Sequence, residues 1–161
     1  AVWNKQWLCF SFEVEDDDIV LFESDDPEEA ALGSDRVELF FATDETLAGP
    51  YYGAEMDPAG RVFDYRAKFY REIDGGWSFS TLEFGGDISE GGYRVDGRIQ
   101  IEELKDLNLL RENRIVAGVY RAEFSRGSNG IQEDWISWVD PETEQPDFHV
   151  PQSFGVFHLA G

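Results

Sequence analysis

The sequence predicts an all-β protein, an antiparallel β-sandwich of the jelly-roll or immunoglobulin-like kind with about nine or ten strands. Three observations support this fold class. Hydrophobic and polar residues alternate with a period of two in many short runs, for example at residues 8–14. Turn signals separate these runs at intervals of about 8–12 residues. Aromatic residues, which strands favour, make up 15% of the chain.

The first half of the chain is predicted to alternate strands with acidic turns. Residues 57–60, with the sequence D-P-A-G, are a strong β-turn signal and predict a hairpin. Residues 23–35 contain Pro27, Gly33 and many acids, so they are predicted as a loop with at most one helical turn at 27–32. The strands predicted in this half cover residues 8–14, 19–22, 36–43, 51–56 and 61–70.

The second half is predicted to continue the sandwich. Two double-glycine turns, D-G-G at 74–76 and E-G-G at 90–92, each lead into a strand. Residues 102–107 are predicted to form one short helix, and residues 140–151 a proline-containing loop. No repeat or change of composition marks a boundary, so we expect one domain over residues 1–161. The strands predicted in this half cover residues 77–84, 93–101, 114–125, 133–139 and 154–159.

The charge of the chain argues against two classes of partner. Asp and Glu number 34 against 13 Lys and Arg, which gives a net charge of −21. Such a surface repels nucleic-acid phosphates and anionic lipid, so neither is an expected partner. Only three of the basic residues are lysines, and an acidic, lysine-poor surface suits a saline or extracellular medium. An ordinary acidic, solvated surface explains the same composition. We expect a secreted protein, extracellular or periplasmic, and we also expect a monomer.

Cys9 is the only cysteine, which rules out an intrachain disulfide and a thiolate metal cluster. It lies in a predicted strand, where a small buried hydrophobe is its expected role. No signal peptide is visible, and no apolar run approaches the roughly 18 residues needed to span a membrane. Because the chain begins directly on a strand, we interpret it as a mature fragment.

The sequence contains the parts of a carbohydrate site and no known catalytic motif. A zinc-peptidase motif, a P-loop, a dinucleotide glycine motif and a nucleophile elbow are all absent. A sugar site needs aromatic rings that stack on the sugar and planar polar side chains that bind vicinal hydroxyls. A core role for the tryptophans fits the same pattern. The candidate rings are Tyr70, Trp77, Trp135, Trp138 and Phe148, and the candidate polar groups are Glu38, Glu55, Arg66, Arg121 and Glu123.

Two other functions fit parts of the sequence. A glycosidase needs two carboxylates about 5–9 Å apart. A haem-binding electron-transfer domain would use the sole methionine, Met56, together with His149 or His158. The glutamates that fall within predicted strands, and so qualify for a glycosidase pair, are Glu38, Glu55, Glu83 and Glu123.

Calcium is a candidate structural cofactor, because acidic loops offer hard oxygen ligands. No stretch has the spacing of an EF-hand, so the sequence assigns no metal site, and solvated acidic loops explain the same residues. The candidate ligands are Asp16, Asp17, Asp18, Asp25, Asp26 and Asp35.

Five short segments, in one order along nearly the whole chain, match the motifs of one known family. W-N-K-Q-W-L-C-F at residues 3–10 matches W-D-x-x-Y-L-Y, and D-R-V-E-L-F at 35–40 matches D-S-V-E-I-F. E-G-G-Y-R-V-D at 90–96 matches E-G-G-Y-x-V-E, and I-S-W-V-D-P at 136–141 matches I-S-W-S-D-P. P-Q-S-F-G-V-F-H-L at 151–159 matches P-x-x-F-G-x-L-x-L. The chain thereby resembles the family 9 carbohydrate-binding modules.

The resemblance implies a non-catalytic β-sandwich that is usually attached to xylanases and related plant-polysaccharide enzymes. It implies structural calcium, a slot for the reducing end of a sugar chain, and an N-terminal strand region that is missing here. In the founding type two tryptophans sandwich the sugar ring, and their positions here hold Leu32 and Phe148. The family glutamate is kept as Glu38, whereas the family arginine falls at Glu55 and a strand glutamine at Arg121. We interpret the last two changes as a charge swap between neighbouring positions.

From this resemblance we expect non-catalytic carbohydrate binding that targets a linked glycoside hydrolase to the chain ends of xylan or cellulose. Phe148 and Trp138 would stack on the sugar, while Glu38, Glu55 and Arg121 would bind its hydroxyls or hold one another. Y-R at 120–121 and F-H-V-P at 148–151 resemble a sister group of family-9-like modules. Besides the glycosidase and haem alternatives, a spacer that has lost its ligand stays open, because the ring position at Leu32 is empty.

Overall fold

Two antiparallel sheets face each other in this computed structural model, which describes residues 1–160, and the predicted β-sandwich is confirmed. The smaller sheet has the strand order β1 (Val2–Trp3), β2 (Trp7–Glu15), β8 (Gly92–Gln100) and β7 (Glu83–Ser89). The larger sheet has the order β11 (Gly130–Ser137), β10 (Arg114–Gly127), β3 (Arg36–Ala42), β4 (Tyr51–Met56), β5 (Val62–Lys68) and β6 (Glu72–Asp74). Two further short strands, β9 (Leu110–Arg111) and β12 (Gly155–His158), pair with β10.

The helical parts of the structure are short and lie between strands. Helix α1 (Pro27–Leu32) begins at Asp26, whose side chain accepts hydrogen bonds from the backbone N–H groups of Glu28 and Glu29. Proline at the first helical position suits this cap, so the helical turn predicted at 27–32 is confirmed. Helix α2 (Ile101–Asp106) follows β8, one residue earlier than predicted. Within residues 1–160, no helix has the length and apolar character needed to cross a membrane.

The main hydrophobic core fills the space between the two sheets. Alternate residues of β3, namely Val37, Leu39 and Phe41, point into it and meet Leu8 and Phe10 of β2. This is the period of two that the sequence predicted, and it gives the inner face of the larger sheet its apolar character.

The outer face of the larger sheet is also buried over part of its area. A second hydrophobic cluster forms there around Phe40, whose ring lies 4.9 Å from that of Tyr120 and 5.9 Å from that of Tyr65. Phe148 and Phe154, from the segment between β11 and β12, cover this cluster. All seven residues of β3 are therefore buried, because each of its two faces has a hydrophobic cluster or buried polar groups against it.

Two predicted strands are placed differently in the structure, and side-chain acceptors explain both. Residues 19–22 form no strand, since the N–H of Val20 donates to the carboxylate of Asp35 (2.6 Å) instead of joining a ladder. The strand predicted at 77–84 begins only at Glu83, because the N–H of Phe79 donates to Asp64 (2.7 Å) and that of Ser80 to Glu103 (2.7 Å). The short strands β6 and β9 were not predicted.

We expect Gly53→Ala to destabilise the fold, because Gly53 makes room for a buried ring. A Cβ atom at Gly53 would lie 2.5 Å from Cζ of Tyr65. Overpacking of this kind costs about 1–3 kcal/mol, so thermal unfolding should show the Tm lower by about 3–9 °C. Gly85→Ala is the matched control, since a Cβ on this strand glycine has nothing within 4 Å. Equal Tm values for the two variants would contradict the packing argument.

Candidate functional site

A pocket of about 280 Å³ lies on the outer face of the larger sheet, beside the second hydrophobic cluster. Its floor comes from β3 and β4, and its walls come from α1, from β11 and from the segments that follow β5 and β11. A cavity of this size is just below the usual range of about 300–1,000 Å³ for small-molecule sites, so it suits a small ligand. Its lining residues are Leu32, Arg36, Glu38, Glu55, Phe63, Arg71, Ile73, Trp135, Pro146, Phe148 and His149.

The guanidinium of Arg36 is the centre of the pocket floor. Its Nε donates to Oε2 of Glu55 (2.8 Å), and its Nη1 donates to the carbonyl of Leu32 (2.8 Å) at the end of α1. Its Cζ lies 5.5 Å from the ring centroid of Trp135 and 5.8 Å from that of Phe124, so two aromatic rings flank the cation. With only 4% of the residue exposed, Arg36 is held by bonds on several sides.

Glu38 and Glu55 lie directly opposite each other on β3 and β4. Oε1 of Glu55 accepts a hydrogen bond from the hydroxyl of Tyr65 (3.1 Å), so both oxygens of Glu55 have partners. Oε1 of Glu38 lies 3.0 Å from Nη2 of Arg36, but it has no partner with hydrogen-bond geometry among the described residues. Glu38 is 2% exposed, so the pocket floor carries a buried carboxyl group that is compensated by an ion pair but is not fully hydrogen-bonded.

Burial raises the pKa of both carboxyl groups. The pKa of Glu38 lies well above its usual range, because the side chain is removed from water and because the Glu55 charge lies opposite; Arg36 opposes both effects. The pKa of Glu55 rises by burial as well, but Arg36 and Tyr65 both favour its ionised form. Two carboxylates thus share one guanidinium, and Glu38 is the less well compensated of the two.

The rim of the pocket is held by a second, smaller polar group. Nη2 of Arg71 donates to Oδ1 of Asp147 (2.9 Å), and the hydroxyl of Tyr70 donates to the other carboxylate oxygen. The hydroxyl of Tyr51 bonds Nδ1 of His149 (2.8 Å) below this rim. Burial lowers the pKa of His149 to about 4, so its imidazole is neutral near neutral pH.

Trp135 is the ring best placed to contact a ligand. It is 38% exposed, lines the pocket and flanks Arg36. Phe148 also lines the pocket, but it is only 5% exposed, because its ring stacks on Tyr120 with 4.2 Å between centroids. Leu32, the position to which the resemblance assigns the first tryptophan, forms part of the pocket wall.

The structure brings together three of the five predicted site residues. Glu38, Glu55 and Phe148 line the pocket, whereas Trp138 and Arg121 lie outside its lining. Trp138 follows β11, is half exposed and packs against Phe157, 5.4 Å away. Arg36 was not among the predicted site residues, although it lies two residues before Glu38 on one strand and therefore on the same face.

Arg121 points toward the smaller sheet and not into the pocket. In the strand register Tyr120 lies opposite Glu38 and Arg121 opposite Val37, so Arg121 is on the inner face. Its Nη2 donates to Asp16 (3.0 Å) and also to Glu123. The interpretation of a charge swap between Glu55 and Arg121 is therefore wrong, since Arg36 is the cation that bonds Glu55.

Three carboxylates converge next to Arg121, from Asp16, Asp35 and Glu123, with ligand oxygens within 4.8 Å of one another. The oxygens of Asp35 accept hydrogen bonds from the backbone N–H groups of Val20 (2.6 Å) and Phe124 (2.8 Å). The donor set suits calcium, because it consists of hard oxygens and carries two more negative charges than the single guanidinium balances. Of the six predicted ligands, the structure places Asp16 and Asp35 in this cluster.

The residues of the haem alternative are kept apart. Met56 is fully buried in the core between the sheets, whereas His149 lies on the outer face of the larger sheet. His158 is exposed at the end of β12. Met56 and His149 therefore lie on opposite sides of one sheet and cannot hold one iron.

A sequence model of the carbohydrate family 9 binding domain-like proteins matches the chain over residues 1–161. The chain belongs to this family. The recognition of family 9 motifs in the sequence is thereby confirmed. The family is one of non-catalytic carbohydrate-binding modules. No curated protein matches the chain.

Solved structures similar to this chain include a family 9 module in complex with sugars. A candidate carbohydrate-binding protein from Bacteroides uniformis has a TM-score of 0.70 and 14% identity, over 97% of this chain and 74% of that one. A family 9 module from Caldicellulosiruptor kristjanssonii in complex with glucose has a TM-score of 0.60 and 17% identity, over 99% and 73%. Its complex with cellotriose has a TM-score of 0.59 and 17% identity, over 99% and 72%. At these identities the likeness establishes the fold.

We expect Glu38→Gln to stabilise the protein at alkaline pH and not at acid pH. A folded-state pKa above the unfolded value means that the stability held by protonated Glu38 is lost as the pH rises through the folded pKa. Glutamine keeps the shape without the surplus charge, so its Tm should exceed that of the wild type by about 2–4 °C at a pH near 8 and match it near 4. Glu83→Gln, on an exposed carboxylate paired with Arg98, is the matched control and should show no such pH dependence. A lower Tm for Glu38→Gln at both pH values would refute this electrostatic account.

Proposed function

We propose that the pocket beside Arg36 binds one terminal residue of a neutral sugar chain, without making or breaking a covalent bond. The observation that carries this proposal is the pocket lining itself, in which the buried carboxyl group of Glu38 and the guanidinium of Arg36 lie together with the exposed ring of Trp135. A flat ring beside planar polar groups is the combination that recognises a pyranose. The family and the glucose and cellotriose complexes of the similar module support the same ligand class.

The chemistry of binding follows from the donors and acceptors on the floor. The carboxyl group of Glu38 accepts from one sugar hydroxyl, and a guanidinium N–H of Arg36 donates to the hydroxyl next to it. Arg36 is already oriented by Glu55 and Leu32, so little side-chain freedom is lost on binding. Trp135 covers the apolar face of the sugar and excludes water from these bonds.

The rest of the sugar chain leaves the pocket past Trp135. A second depression of about 420 Å³ adjoins the pocket and shares Trp135, Pro146 and Phe148 with it. Ser137 and Asp140 line this depression and offer polar groups to a second sugar residue. An end-on mode suits the small pocket, because 280 Å³ holds little more than one ring.

We expect Trp135→Ala to weaken sugar binding by about tenfold or more, because it removes both the stacking surface and one wall of the pocket. Calorimetric titration with cello- and xylo-oligosaccharides and with their reduced alditols measures the affinity and tests whether the reducing end is required. Trp138→Ala is the matched control, since Trp138 is at least as exposed but lies outside the pocket lining. If Trp138→Ala weakens binding and Trp135→Ala does not, the sugar binds at another surface.

One observation favours a glycosidase as the second candidate function. Glu38 and Glu55 form a close carboxyl pair with one strongly raised pKa, as an acid catalyst would require. Both carboxylates nevertheless contact the same guanidinium on the pocket floor, so they do not stand on two sides of a bound glycosidic bond. Release of reducing sugar that is lost in Glu38→Gln would establish hydrolysis, whereas binding without release supports the module.

The same proposal extends to the wider role. We propose that the protein is secreted and that a linked glycoside hydrolase is brought by it to xylan or cellulose chain ends. The acidic surface, with a net charge of −21, suits an extracellular or saline medium, and the family supports attachment to polysaccharide. The test is co-sedimentation of the protein with insoluble xylan and with insoluble cellulose. A sugar-binding module should sediment with one of these polysaccharides, whereas a spacer without a ligand would stay in the supernatant with both polysaccharides.

We also propose calcium as a structural ion held by Asp16, Asp35 and Glu123. The two uncompensated charges in this cluster support it, because a divalent cation would balance them next to Arg121. The ion would join the smaller sheet, through Asp16 at the end of β2, to β10 of the larger sheet and the start of β3. The role is therefore one of stability and not of sugar binding.

We expect calcium to raise the Tm by about 5–10 °C at roughly a hundredfold excess over its dissociation constant, because it binds only the folded state. Differential scanning fluorimetry with calcium, magnesium or a chelator measures the shift. Asp16→Asn should remove most of it, whereas Asp25→Asn, an exposed acid outside the cluster, should leave it intact. An equal calcium shift in both variants would place the ion elsewhere.

A further inference from the structure

The pocket floor holds two carboxylates and a single cation in contact with them. Glu38 and Glu55 face each other across β3 and β4, and within residues 1–160 Arg36 is the one cation paired with both. Both carboxylates are nearly inaccessible to water, at 2% and 5% exposure. Bringing a second negative charge into such a place is costly, and a bound proton is the simplest way to remove it.

The other groups around Glu38 do not remove this surplus. From β5 and β10 come Tyr65 and Tyr120, whose own pKa values are raised by burial, so both are neutral hydroxyls. The remaining charged and titratable neighbours are Arg71, Asp147 and His149 on the rim. Arg71 favours the ionised form of both glutamates, but less than Arg36 does, and it is itself paired with Asp147. His149 is neutral above a pKa of about 4. Helix α1 contributes only the apolar side chain of Leu32 and its carbonyl to this pocket.

We propose that a proton and the sugar compete for Glu38, so that sugar binding releases a proton and the affinity rises with pH. This inference rests on the proposed function, and it adds a regulation to the same site. Its geometric basis is the buried carboxyl group of Glu38, which lines the pocket opposite Glu55 and is the one group for which both the proton and a sugar hydroxyl compete. A hydroxyl that donates there stabilises the ionised form of the carboxyl group and excludes the proton.

Desolvation by the sugar acts in the opposite direction, but it is the smaller effect. A ligand that covers an exposed carboxylate strips water from it and favours the protonated form. Glu38 has already lost its water in the free protein, since it is 2% exposed. The sugar therefore adds a hydrogen-bond donor without adding much burial, and the net result is a lower pKa in the complex.

Calorimetric titration with a cello-oligosaccharide from about pH 5 to pH 8, in two buffers of different ionisation enthalpy, tests the proposal. We expect release of up to one proton on binding. We also expect the affinity to depend on the pKa that Glu38 has in the sugar-free protein. Below that pKa the affinity should rise by up to about tenfold per pH unit, and above it the affinity should reach a plateau. A flat affinity with no proton exchanged, or an affinity that rises on acidification, would overturn the inference and leave sugar binding established. Absence of binding at every pH would overturn both this inference and the proposed function.

Three variants test whether the pH dependence of the affinity comes from the Glu38–Glu55 pair or from the general negative charge of the protein. Glu38→Gln imitates the protonated state, so it should bind at every pH with the weak affinity that the wild type reaches in acid. Glu55→Gln removes the opposing charge, so the rise in affinity should move to lower pH. Glu83→Gln removes one exposed charge far from the pocket and should keep the wild-type profile. A Glu83→Gln profile as flat as that of Glu38→Gln would overturn the inference, because it would assign the pH dependence to the overall charge.

Discussion

The buried guanidinium of Arg36 is the interaction on which the pocket depends. It joins the end of α1, the carboxylate of Glu55 on β4 and the rings of Phe124 and Trp135, and it does so from a strand that is buried on both faces. A charge in such a position is tolerated only where several partners compensate it. The same partners determine where a ligand meets the floor, so the stability of the site and its recognition chemistry have one origin.

The larger sheet is able to carry this site because it has a second hydrophobic layer on its outer face. Most sandwich sheets expose that face to water, but here Phe40 and Tyr120 are covered by Phe148 and Phe154. The covering segment has little regular structure, and the hydroxyl of Tyr120 holds it by bonding Ser153 (2.8 Å). The pocket lies at the edge of this layer, between the buried aromatic rings and the polar side chains of the pocket floor.

Much of the fold follows from the alternation of residues in the sequence, whereas the site depends on contacts that alternation does not describe. The period of two located most of the strands, and the family motifs pointed to Glu38 and Phe148. The two displaced strands fail for one reason, since carboxylates such as Asp35 and Glu103 accept the N–H groups that a neighbouring strand would otherwise bind. Arg121 was predicted in the pocket but lies on the opposite face of the sheet. Successive residues of a strand alternate between the two faces, so an error of one residue in the register moves a side chain to the wrong face.

The position of the arginine also constrains how this pocket can change in evolution. The motif that the chain resembles has serine at the position of Arg36, and the resemblance assigns an arginine to the position of Glu55, so in that arrangement the cation would lie on the neighbouring strand. Replacing Arg36 alone would leave two buried carboxylates without their shared cation, and placing an arginine at position 55 alone would bring two guanidinium groups side by side. Each single change leaves a buried charge uncompensated, so we expect the two positions to be epistatic. The two arrangements would then interconvert only by changes at both sites or after another charge is added to the pocket.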